Sequence, residues 1–188
     1  MASSPLAFWT IGHSIHAIEG FLGILRSHRI DAIADVRLLP GSRRYPHFNR
    51  ERLEASLREA GIDYAHIPEL GGRRKPRPDS PHTAWRNESF RGYADHMDSA
   101  EFGRGVETLM KCGTGKRCAI MCAEAVWWQC HRALIADWLK VNGSDVFHIL
   151  SENKVEPHPY TTAARIIGGQ LSYRAPAAAA TTEELPLT

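Results

Sequence analysis

Long apolar runs are missing from this chain, and no stretch approaches the roughly 20 residues that a membrane-spanning helix requires. The start, Met1-Ala-Ser-Ser-Pro-Leu6, has neither a basic segment nor an apolar one, so no export signal is expected. Cysteine is scarce: four residues, at 112, 118, 122 and 130, crowd into one stretch instead of spreading as a disulfide framework. They read as thiols, ligands or catalysts in a reducing compartment, and the cytoplasm is the expected location. No GxGxxG or Walker-type loop follows any apolar run, which argues against a nucleotide cofactor held by those motifs, and no other cofactor is assigned. A CxxC pair is also absent, so neither a standard zinc finger nor a thioredoxin-like redox pair is expected. There is no internal repeat.

What remains is ordinary globular composition: 188 residues, 43% hydrophobic and 23% charged, with a net charge of only +2. That length suits one domain, which buries about two-thirds of its unfolded surface without a staple. The charge is unevenly placed. The windows Arg37–Arg52 and Arg73–Arg91 each carry +4. Folded side by side they would make a positive face suited to phosphates or other anions; apart they are two solvated loops.

Short apolar runs alternate with helical periods. Residues 7–11, 31–36, 63–67, 118–122 and 146–150 read as strands, the fourth uniformly apolar as a buried central strand should be. Helices are predicted over 18–29, 50–60 (capped by Asn49 and stopped by Gly61), 90–112 with a break near Asp98-Ser99, and 128–142, with a last helical turn or two over 161–167. The implied class is α/β: one mostly parallel sheet of five strands, or slightly more, with helices on both faces. Residues 1–6 are expected to be flexible, 7–170 to form the domain, and 171–188 to be a disordered low-complexity tail.

In such sheets ligands sit beyond the carboxyl ends of the strands. Those ends read His13 and Ser14, Asp35 and Arg37, His66 and Glu69, Cys122 and Glu124, His148 and Ser151. Each alone has a bland explanation as a cap or turn residue. Five together point to a site, because strand ends facing a mere surface need neither histidines nor thiols. The densest local feature is the stretch from Cys122 to Arg132. Cys130 falls near the first turn of a helix, where backbone N–H groups, Arg132 or a protonated His131 favour a thiolate. Cys130 is thus a candidate nucleophile, and Cys122 a second thiol at the same strand end. His131, next in sequence, is expected to point elsewhere on the helix, leaving Glu124 or another histidine as the base. Cys112 and Cys118 read as core. A metal site completed by distant His13 or His148, and a Cys122–Cys130 disulfide, are the remaining uses of the cluster.

The segments Gly12-His13-Ser14, Asp35-Val36-Arg37, Pro40-Gly41-Ser42-Arg43, Glu69-Leu70-Gly71-Gly72, Ser89-Phe90-Arg91-Gly92-Tyr93, Met121-Cys122-Ala123-Glu124, Cys130-His131-Arg132 and His158-Pro159-Tyr160-Thr161 together resemble the DUF488 family. The resemblance runs from about Thr10 to Arg165. It implies one intracellular α/β domain and marks the same polar strand ends, but it supplies no reaction. Separately, Cys130-His131-Arg132 is similar to the Pro-Cys-His-Arg motif of O6-alkylguanine-DNA alkyltransferases, with Gln129 in place of the proline.

Three functions compete. The first is a cysteine-dependent enzyme on a phosphate-bearing or nucleobase-containing substrate, using Cys130, Cys122, Glu124, His131, His13 and Asp35. Arg37, Arg43 and Arg44 would hold its phosphate, Glu69, Arg132 and His148 would be further substrate-binding residues, with nucleic acid or a nucleotide as the candidates, and Trp127 and Trp128 would stack on a base. The second is a non-catalytic nucleic-acid-binding module built on the Arg-rich loops and the two tryptophans. The third is a metal-dependent hydrolase. Arg37 is expected to be tethered by Glu69 or Glu124, and residues 73–88 to form a mobile basic flap pinned by Trp85.

Overall fold

The computed structural model describes residues 5–176. Strands β1 (Ala7–Gly12), β2 (Ala32–Asp35), β3 (Asp63–His66), β4 (Cys118–Cys122), β5 (Asp145–Ser151) and β6 (Lys154–Pro157) form one sheet in the order β3-β2-β4-β1-β5-β6. The first five are parallel, and β6 folds back antiparallel on β5. The predicted α/β class with a mostly parallel sheet is what is found, with β6 as the additional edge strand.

Alternation along each strand sorts the core into two layers. Trp9, Ile11, Ile33, Ala119, Met121 and Ile149 face helices α1 (Ile18–Ser27) and α2 (Arg50–Glu59), through Phe21, Leu25, Leu53 and Leu57. Phe8, Ala32, Ala34, Cys118, Ile120 and Cys122 face the opposite layer, made by α3 (Glu88–Met97), α4 (Ala100–Gly113) and α5 (Arg132–Val141). The break predicted near Asp98-Ser99 separates α3 from α4, where Ser99 Oγ accepts the Phe102 N–H. Asn49 does stand at the start of α2, but its side chain caps nothing there; Oδ1 accepts the Ser42 N–H at 2.6 Å and ties down the preceding loop instead.

The C-terminal part differs from expectation. Residues 165–167 are not helical: β7 (Arg165–Ile167) and β8 (Gln170–Ser172) form a hairpin. Gly168 and Gly169 turn it at φ of 58° and 78°, the left-handed conformation a two-residue hairpin turn requires. The ordered chain also continues past residue 170. Tyr173 is buried, with its hydroxyl donating to Asp137 at 2.8 Å. At the other end Leu6 packs on the core, and its carbonyl accepts the Asp145 N–H. The flexibility expected for residues 1–4 and 177–188 concerns segments outside the described residues. Among the described residues no helix is long and apolar enough to cross a membrane.

The topology opens a crevice. The chain leaves β1 and β2 toward one face of the sheet, into α1 and α2, but leaves the intervening β4 toward the other, into α5. Loops that diverge from adjacent strands in this way leave a gap beyond the strand ends, the usual ligand position in α/β sheets.

Candidate functional site

A cavity of about 650 Å³ fills that gap. Its walls include His13 and Ser14 after β1, Arg37 and Arg44 after β2, Cys122 and Glu124 at the end of β4, Cys130 and His131 before α5, and Tyr93 from α3. Gly12 lets the loop after β4 lie across β1, since a Cβ there would fall 1.8 Å from the Glu124 carbonyl oxygen. The His13 and Ser14 N–H groups donate to the Cys122 and Ala123 carbonyls, fastening the two strand ends together.

Cys122 is the last residue of β4 and lies on the face toward α5. The predicted helix over 128–142 starts late. Trp127–Gln129 make one 3-10 turn, Cys130 is extended (φ −129°, ψ 148°), and His131 is the N-cap of α5. The helical angle between neighbours therefore does not apply to Cys130 and His131, and the expectation that they diverge is wrong. His131 Nδ1 lies 3.6 Å from Cys130 Sγ. Its Nε2 is 3.1 Å from the Val36 carbonyl, which only accepts, so Nε2 carries the proton and Nδ1 turns its lone pair to the sulfur when the ring is neutral. Arg132, buried beneath, donates from Nε to Cys130 Sγ at 3.3 Å and from Nη2 to the Glu124 carbonyl at 2.5 Å.

Burial works against a Cys130 thiolate. The neighbouring Cys122 thiol, the His131 ring and the Arg132 guanidinium outweigh it and hold the Cys130 thiol well below the usual range. The neighbouring Cys130 sulfur, and then burial, push the Cys122 thiol far up. The two sulfurs are thus unequal, Cys130 the more acidic and Cys122 the less. All four cysteines are free thiols: Cys118 is fully inside the sheet layer, Cys122 and Cys130 are buried at the cavity wall, and Cys112 is half-buried.

Beside this pair stands a rigid polar wall. Arg37 donates to Asp35 Oδ1 from Nε at 2.8 Å and to Oδ2 from Nη2 at 2.5 Å. Asp35 also accepts from Tyr64 at 2.8 Å, which leaves no oxygen turned to the cavity for catalysis. The tether of Arg37 is therefore Asp35, two residues earlier, and not Glu69 or Glu124. A two-residue offset at a strand end puts both side chains on one face, a local solution that sequence distance made easy to overlook. Arg37 Nη1 completes its bonds with the Phe48 carbonyl at 2.9 Å and His13 Nε2 at 3.2 Å. His13 Nδ1 faces the Ser14 carbonyl at 3.1 Å, so this ring donates from Nδ1 and accepts at Nε2. Burial, then the charge of Arg37, lowers its pKa to about 4 and keeps it neutral.

Several predicted site residues lie elsewhere. His148 pairs in register with Thr10, two residues before the end of β1. It belongs to a buried chain: Thr10 Oγ1 to His148 Nδ1 at 2.7 Å, His148 Nε2 to His158 Nδ1 at 2.8 Å, His158 Nε2 to Asp137 Oδ1 at 2.9 Å. Trp127 stacks on His148 with centroids 4.2 Å apart and is not free to stack on a base, while Trp128 is half exposed and outside the cavity wall. Glu69 is in a 3-10 turn, with its carbonyl accepting from His96 Nε2, and Arg43 also stands outside the wall. Arg132 supports the sulfur from below and does not reach the cavity wall.

Other residues join the site unpredicted. The Tyr93 ring lies 5.0 Å from His131, and its hydroxyl donates to the Leu70 carbonyl. The segment Ser89–Tyr93 was legible as a motif, though not as part of the cavity wall. Arg73, at φ 62°, also lines the cavity. Beyond it the basic loop is strapped down: Arg74 pairs with Glu101 at 3.0 Å, Arg77 with Asp95 at 3.4 Å, and His82 with Asp98 at 3.0 Å. Trp85 packs against Phe90 and Tyr173, the pin expected of it, but the flap is fastened to α3 and α4 along its length.

Among the described residues one group could hold a metal ion, Cys122, Cys130 and His131. It is completed by the adjacent histidine and not by distant His13 or His148, whose ring nitrogens are engaged elsewhere.

A family model described as "Domain of unknown function DUF488" matches residues 17–139, and the chain belongs to that family. No curated protein and no solved structure matches the chain.

Proposed function

We propose that this DUF488 chain is a cysteine-dependent enzyme in which Cys130 attacks an anionic substrate, phosphate-bearing or carrying a nucleobase, held in the cavity at the strand ends. One observation carries the reading: a thiol at a cavity floor meets an imidazole nitrogen at 3.6 Å, a guanidinium N–H at 3.3 Å and a second thiol. That is a nucleophile, a base and two donors to the developing or resting anion. The sulfur proton passes to His131 Nδ1. The Cys130 Sγ–substrate bond then forms as the bond to the leaving group breaks, the electron pair departs with that group, and the His131 proton follows it. Arg44 and Arg73 set the preference for negative charge around the wall. Unpaired thiols in such a role belong to a reduced compartment, and the cytoplasm is the proposed location.

The binding-module reading has less support. It asks Trp127 to accept a base, yet that ring is stacked on His148, and Arg74 and Arg77 of the 73–88 loop are spent on carboxylates. Iodoacetamide tests the leading reading. In metal-free reduced protein at neutral pH, mass mapping should place the first label on Cys130, faster than free cysteine reacts, and His131→Ala should slow it. Labelling no faster than free cysteine, or first at Cys112, would overturn the proposal.

A further inference from the structure

The donors Cys122 Sγ, Cys130 Sγ and His131 Nδ1 all lie within 4.8 Å of one another at the cavity floor. A tetrahedral zinc centre, with Zn–S of about 2.3 Å and Zn–N of about 2.05 Å, sets its sulfur and nitrogen ligands about 3.6 Å apart. Cys130 Sγ and His131 Nδ1 are 3.6 Å apart. The ring is also oriented as a metal-bound imidazole is, because its Nε2 proton is held by the Val36 carbonyl at 3.1 Å and Nδ1 is left to donate. Gly72 protects the approach: a Cβ there would stand 2.7 Å from His131 Nδ1. Arg132 Nε, 3.3 Å from Cys130 Sγ, offsets part of the charge of two thiolates and still has a sulfur lone pair to accept its hydrogen.

We infer that Cys122, Cys130 and His131 form a three-ligand site for a thiophilic divalent cation of the zinc class, with its fourth position open to the cavity. Two sulfurs and one imidazole select such an ion over magnesium or calcium, which take oxygen donors. Binding displaces the thiol protons to solvent and turns both sulfurs to the ion. The ion and an alkylating agent then compete for Cys130. The inference needs only the donors and their geometry, and it stands or falls separately from the nucleophile reading.

The test uses the full chain, reduced, stripped with a chelator and desalted. Cadmium is titrated in, and the thiolate-to-cadmium charge-transfer absorption is followed in the ultraviolet. One equivalent should saturate the band, and zinc should abolish it by competition. Cys122→Ala, Cys130→Ala and His131→Ala, each checked for folding by circular dichroism, should weaken binding roughly 100-fold or more, while Cys112→Ser changes nothing. No saturable band, a band untouched by the ligand variants, or one lost with Cys112→Ser would overturn the site. Iodoacetamide on the stripped protein separates the two readings. Fast labelling of Cys130 without a cadmium band sinks the metal site alone, and a one-equivalent band with slow labelling sinks the nucleophile alone.

Discussion

Replacing Arg37 by alanine tests whether the wall of the cavity is also a structural element. The side chain is almost wholly buried, and its partner Asp35 is completely so. Truncation leaves a carboxylate inside the sheet layer with only the Tyr64 hydroxyl and a backbone N–H for company, and it frees the Phe48 carbonyl and His13 Nε2. Breaking a buried pair by removing one partner typically costs about 3–5 kcal/mol, most of it from the orphaned charge. For a domain of this size each kcal/mol is worth about 2–4 °C, so the melting temperature should fall by roughly 6–20 °C. Urea denaturation at neutral pH reads the loss directly. The double variant Asp35→Ala with Arg37→Ala should be less destabilised than the sum of the single variants, because it removes the orphan. Arg37→Lys should fall between wild type and Arg37→Ala, since an ammonium cannot reproduce the two-pronged contact. A loss below about 1 kcal/mol for Arg37→Ala, or strict additivity in the double variant, would show the pair to be an ordinary surface contact and refute the reasoning.

Asp137 is fully buried and accepts from His158, from the Thr161 N–H and hydroxyl, and from Tyr173. Asp137→Ala should cost roughly 3–5 kcal/mol as these donors lose their partner, and trypsin should then cut early at Arg165 or Arg174. Burial first, and then the charges of His158 and Arg132, lowers the His148 pKa from 6.5 to about 2. The unfolded chain therefore takes up this proton first as the solution is acidified. The stability that neutral His148 supports is complete above pH 6.5 and drains away as pH falls toward 2, by up to about 1.4 kcal/mol per pH unit. Urea midpoints at several pH values should show a shallower acid decline for His148→Ala than for wild type, and parallel declines would contradict the shift. Gly72→Ala puts a Cβ 2.7 Å from His131 Nδ1 and should slow alkylation of Cys130 about tenfold without loss of fold, by moving the imidazole away from the sulfur.

Local pattern alone determined the class of this protein. Short uniformly apolar runs such as Cys118–Cys122, set between helical periods, specify buried strands and the crossovers between them, and parallel strands carry their polar residues to a common end. That reasoning placed His13, Arg37, Cys122 and Glu124 at one site, and the structure finds all four on the cavity wall. It failed wherever the deciding partner was distant in sequence or the backbone departed from regularity. Cys130 and His131 meet because one residue is extended and the next begins a helix, a change of dihedral that no periodicity announces. His148 alternates correctly into the layer of α5, but only the packed structure shows Trp127, His158 and Asp137 waiting there to engage it. The Gly168-Gly169 turn was written in the chain and overruled the helical turns expected over 161–167, because two left-handed glycines close a hairpin. The charges of residues 73–88 were equally visible, and their destination was not. Whether an arginine faces a ligand or a carboxylate depends on what α3 and α4 present across the gap, and that is settled by tertiary packing.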